Sequence, residues 1–127
     1  MKYRQTLKNA RLTAIVTDAG ASAVIKLYDG SAPAGPDVAV STQVELSSHN
    51  ASATLGTVSA GVLTMNAIAD GTGTAGATAG GKTATWGRIF NGATAVADFT
   101  VGASGSGMEA IITPDALIKT GQPVSFT

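Results

Sequence analysis

The spacing of apolar positions along this chain changes once, near Gly20. Before it, Tyr3, Leu7, Ala10 and Ala14 recur every three to four residues, which predicts an amphipathic helix over residues 3–16, with Thr17, Asp18 and Gly20 as its stop. After it the period falls to two. AVIKLYDG predicts a strand over 24–28, ended by the proline-glycine loop 30–37. In VAVSTQVEL, Val38, Val40, Thr42, Val44 and Leu46 share one face, which makes 38–46 the cleanest strand by pattern. Residues 47–61 read as polar and irregular, and 62–70 as another strand. TATWGRIF and TAVADFTVG flank Asn91-Gly92, a strong hairpin signal, and set Arg88 against Asp98 as an inter-strand or inter-subunit ion pair. MEAIIT predicts a strand, and ALIKTGQPVSFT a closing strand pair turned near Thr120-Gly121. One helix and about seven short strands predict an all-β fold, an antiparallel β-sandwich or jelly-roll-like body over 21–127, with an N-terminal helical arm over 1–20.

Composition sharpens this picture in two ways. Only 13% of the 127 residues are charged, against the usual quarter or so, and sixteen are glycine. So sparse a charge suits a protein whose faces are covered by neighbours, copies of itself included. Cysteine is absent, which excludes disulfides and thiolate metal sites. No apolar run approaches the length of a membrane span, and LTAIV is too short for a secretory core, so a soluble chain made in the cytoplasm is expected.

Charge is the second departure. The net charge is zero, yet Lys2, Arg4, Lys8 and Arg11 are half of the eight basic residues, and no acid precedes Asp18. The first seventeen residues therefore carry plus four and the remainder minus four. Cations in the first turn oppose the helix dipole by a few tenths to about 1 kcal/mol, so compensation from outside the helix is expected. Two readings are open: a solvated basic face, or an arm that docks on an acidic surface of a partner or of its own body. Lys2, Arg4, Lys8 and Arg11 are the expected partner-binding residues.

Candidate chemistry changes little. GATAGGKT (76–83) fits the phosphate-loop pattern G-x-x-x-x-G-K-[ST] through Gly76, Gly81, Lys82 and Thr83. That pattern needs a helix after the lysine to present its N–H groups to phosphate. The residues beyond Lys82 are instead β-branched and aromatic and soon meet the Asn91-Gly92 turn, so a flexible loop feeding a strand is expected. His49, the only histidine, reads as a surface-loop residue, because no frame for a nucleophilic serine surrounds it. The eight acids are scattered; Trp86 reads as the main core filler, the alternative being a stacking site with Arg88 for a base or a sugar. No enzyme activity, cofactor, metal or nucleic-acid partner is expected.

The stretches KYRQTLKNARLTAIVTDAGASAVIKLYDGSAPA, SAGVLTMNAI, GKTATWGRIFNGATAVADFTVG and SGSGMEAIITPDALIKTGQPVSFT carry a resemblance spanning nearly the whole chain. Together they resemble a group of small proteins encoded among the virion structural genes of tailed bacteriophages and prophages. The resemblance implies a virion accessory protein, foremost one that decorates or cements the capsid by binding the major capsid protein. A head-to-tail or tail component, or a surface glycan-recognition module, is the alternative. It carries no catalytic signature, and residues 47–59 take no part in it.

Overall fold

In the computed structural model, which describes residues 1–127, helix α1 runs Gln5–Ala19. It stops where Gly20 takes a φ of 69° and returns its N–H to Thr17 O. The buried face is not the predicted one. Ala19 is buried and Leu12, Ile15 and Val16 half-buried, whereas Tyr3, Leu7, Ala10 and Ala14 all face solvent. Apolar residues lie on two adjoining faces at the same spacing, and the face with the larger branched side chains removes more apolar area from water.

The strands are β1 (Ala23–Tyr28), β2 (Glu45–Asn50), β3 (Gly56–Ser59), β4 (Val62–Met65), β5 (Gly71–Thr72) and β6 (Lys82–Thr83). They continue as β7 (Trp86–Asn91), β8 (Thr94–Gly102), β9 (Ala110–Thr113), β10 (Leu117–Ile118) and β11 (Pro123–Phe126). Seven of them form one sheet in the order β2-β1-β7-β8-β9-β11-β5. Its pairs are antiparallel except β8 with β9, which run parallel through Val101 with Ala110 and Gly102 with Ile111. This parallel pair departs from the all-antiparallel expectation. The sheet curls until its ends meet: Ala69 N donates to Asn50 O at 2.9 Å, and Thr74 N to Leu46 O at 2.8 Å. The chain is thus mostly β with one N-terminal helix, as expected, and its strands build one nearly closed mixed sheet.

Inside the curl, β1 turns Ala23, Ile25 and Leu27 inward, following its period of two. Leu27 joins Leu46, Ile112, Ile118 and Val124 in one apolar cluster, and Ile25 joins Ala19, Leu55 and Ile89 in a second. Phe99 and Phe126 pack against both. Helix α1 packs into the second cluster through Ile15, Val16 and Ala19, and contacts the β3–β4 hairpin as well as β7 and β8.

Three further expectations are corrected. Of the predicted strand 38–46, only Glu45 and Leu46 are in a strand; residues 38–44 are irregular, and Val38 is exposed. Their alternation finds no strand partner, and the loop carbonyls are satisfied instead by a side chain, Arg88, which donates to Gly35 O and Val38 O. The polar stretch after Leu46 supplies the rest of β2, and residues 56–59, also read as irregular, form β3. The closing strands do not pair with each other: β10 pairs with β6, while β11 pairs with β9 and β5.

Candidate functional site

The phosphate-loop match does not assemble. Ala75–Ala77 makes a single 3₁₀ turn, Lys82 and Thr83 form β6, and no helix follows. The Lys82 ammonium lies 3.7 Å from Asp29. The loop therefore presents no row of helical N–H groups to a phosphate.

His49 overturns its expectation most plainly, because it is buried in β2 rather than exposed in a loop. Ser47 and His49, two apart on a strand, face inward together, opposite Leu27 and Ile25 of β1. His49 Nδ1 donates to Ala69 O at 3.0 Å, since a carbonyl only accepts; Nε2 then accepts from the Ser47 hydroxyl at 2.9 Å. Phe126 meets the ring edge-on at 4.9 Å. The pair looks like the start of a nucleophilic triad, but Ser47 and His49 are 0% and 1% exposed, and the third group is a carbonyl, not a carboxylate. It ties the seam where the sheet curls onto itself.

Burial pushes the His49 pKa below the usual 6.5, opposed by the Ala69 carbonyl and the Asp70 charge. The unfolded chain takes up a proton near 6.5 while the folded one resists it. The stability contributed by neutral His49 is thus fully present above that pH and is lost as pH falls towards the folded value. A urea titration at about pH 7.5 and about pH 5 is expected to record a loss of stability on acidification that shrinks in His49→Gln, which has no proton to gain. An equal loss in both proteins places the acid response elsewhere.

On the outer face of the sheet, Tyr28 stacks on Trp86 with ring centroids 4.6 Å apart. Trp86 Nε1 donates to Asp29 O at 3.1 Å. Trp86 is buried, as a core filler should be, yet it belongs to this outer patch rather than to either inner cluster. Arg88 and Asp98 pair across the β7–β8 hairpin as the sequence predicts, with Nε to Oδ1 at 2.6 Å and Nη2 to Oδ2 at 2.9 Å.

The arm is where the sequence placed partner binding. Met1 to Lys8 are all exposed, and Asn9 is the first half-buried residue, its Oδ1 accepting from Gly61 N at 2.8 Å. Arg4 is the N-cap without a side-chain cap, and no acid lies in the first turn. The chain's ion pairs are Lys26 with Glu45, Lys82 with Asp29 and Arg88 with Asp98. Lys2, Arg4, Lys8 and Arg11 enter none of them, so the arm does not dock on acids of its own body. Arg4, Lys8 and Arg11 succeed one another at three-to-four spacing and form a basic stripe on the solvent side, with the Arg11 guanidinium 5.0 Å from the Tyr3 ring centroid.

A groove that the sequence did not disclose opens beside β8. Because β9 joins β8 only at Val101 and Gly102, residues 94–99 have no strand partner on that side. The space left is about 630 Å³, walled by apolar side chains that include Phe99, Ile111, Phe126, Leu63 and Met65, with Glu109 among its lining residues. These come from four separate strands and the turn before β9, which hides them from any local pattern. Matched against family models, curated proteins and solved structures, the chain finds no counterpart.

Proposed function

We propose that this protein is a non-enzymatic accessory protein of a tailed-phage virion, a decoration or cement subunit that binds the major capsid protein on the capsid surface. The carrying observation is the arm: four cations on an exposed segment, none paired with a carboxylate of its own chain. A charge arrangement that opposes the helix dipole and finds no internal compensation is suited to compensation by a neighbour. The resemblance to virion structural proteins and the low charged fraction support the same reading, as does a curled, mostly antiparallel sheet that leaves the first residues of the arm exposed. Two other placements are distinguished readily. A glycan module built on Trp86 needs that ring at the surface, whereas it is 2% exposed. A recognition module at the tail or head surface is scarce or dispensable for shell stability, whereas a cement is present in many tens of copies, so counting copies per particle separates them.

Arg4→Glu with Lys8→Glu is expected to release the protein from particles and to leave its own melting temperature nearly unchanged, because both side chains are exposed and unpaired. Several partly desolvated pairs acting together amount to a few kcal/mol, well above an exposed pair alone, and attachment weakens as salt rises. Retention of the double variant at the wild-type level in low and moderate salt sinks this reading.

A further inference from the structure

We infer that the groove beside β8 receives the exposed arm of a second copy of this chain, so that the protein associates with itself by exchanging arms. This rests on the reading of the arm as a docking element and names one of its partners. The two surfaces match in kind. The arm offers Met1, Tyr3 and Leu7, which are 104%, 41% and 47% exposed, interleaved with Lys2, Arg4 and Lys8. The groove offers apolar walls and the Glu109 carboxylate, which has no cationic partner in its own chain; the other carboxylate there, Asp98, is occupied by Arg88. Glu109 instead accepts from the N–H and hydroxyl of Thr100, which holds it at the end of the unpaired edge. Arg4 is the N-cap and takes the extended φ −62° and ψ 149° usual there, so Met1 to Arg4, outside the helix, are the residues free to lie along an open strand edge, with Leu7 following on the first turn.

The arm that fills the groove comes from another copy. Ile15 lines the groove, and Arg4 stands about 16 Å from it along the helix axis at 1.5 Å per residue. Met1 to Arg4, fully extended and doubled back, span at most about 14 Å. Asn9 fixes the helix to Gly61, so the arm cannot swing round without losing that contact. To reach Ile15 and the neighbouring β8 wall within its own chain, the arm would have to double back along that length of helix, a constraint that the arm of a second copy does not carry.

The absence of cysteine makes the test direct. Tyr3→Cys and Ala97→Cys proteins are mixed and oxidised, with Tyr3→Cys plus Val38→Cys as the control, since Val38 lies on the loop over the opposite face. A mixed disulfide that forms several-fold faster than the control supports the exchange; Glu109→Cys, at an exposed position, replaces Ala97→Cys if the latter folds poorly. In sedimentation velocity, Lys2→Glu with Arg4→Glu, or Glu109→Arg alone, is expected to weaken self-association at least tenfold, and the combined charge-swapped protein to regain it. Crosslinking at the control rate, or self-association indifferent to these reversals, overturns the inference. The capsid reading fails separately: a chain that stays monomeric yet attaches to shells overturns arm exchange alone. One that exchanges arms yet ignores shells supports the exchange and sinks the capsid assignment.

Discussion

Asp98→Ala is expected to cost about 3–5 kcal/mol, the range for removing one partner of a buried ion pair. Arg88 is 2% exposed and keeps its charge in any accessible pH range, all the more because the Asp98 hydrogen bonds push its pKa up against the effect of burial. Without Asp98 that charge stays buried beside two carbonyl oxygens, Gly35 O at 3.0 Å and Val38 O at 2.8 Å, which cannot neutralise it. The consequence reaches beyond one pair. Arg88 is the clamp that holds Gly35 and Val38 of the 30s loop over the outer face, and Trp86 bonds Asp29 O just before that loop begins. Lys26 with Glu45 is the internal control: the two are only 2.9 Å apart, but each is about a third exposed at 34%. Lys26→Ala is therefore expected to cost below about 1 kcal/mol, since solvent screens the pair. Urea titrations of both variants decide the matter; equal losses mean that Arg88 is not the clamp.

Gly73→Ala is the second large effect, expected at about 3 kcal/mol from overpacking. Gly73 sits just after β5, where its N–H donates to Gln122 O at 2.8 Å and its carbonyl accepts from Gly121 N at 2.9 Å. A methyl group there runs into the backbone oxygen of Lys119, so it cannot be accommodated by a side-chain rotation and must displace the turn between β10 and β11. Gly80, seven residues on in the same glycine-rich run, has open space around its own Cβ position. Gly80→Ala is expected to stay within about 0.5 kcal/mol of the parent. Denaturation midpoints that move equally for the two variants show the turn beside β5 to be slack.

Much of the local structure was legible in the order of residues. The N-terminal helix, β1, the β7–β8 hairpin and the Arg88–Asp98 pair each depend on neighbours within about one turn of helix or one hairpin, and periodicity with turn chemistry reports on that range. The segregation of four cations into the arm is likewise a property of sequence, and the structure adds only that no acid of the same chain answers them.

Residue order settles the class of each strong local element, the turns between them and the imbalance of charge. Tertiary structure alone decided which of two apolar helix faces is buried, because both have helical spacing and only the sheet beneath distinguishes them. It decided that the predicted strand from Val38 is a loop, because Arg88 reaches Val38 O across fifty positions of chain. It turned His49 from an exposed loop residue into the tie of a seam, since its partner Ala69 is twenty residues away and meets it only when the sheet curls. The groove arises in the same way, from a parallel pair too short to cover the β8 edge. Each of these outcomes is a contact between distant segments, and residue spacing carries no information about which distant segments will meet.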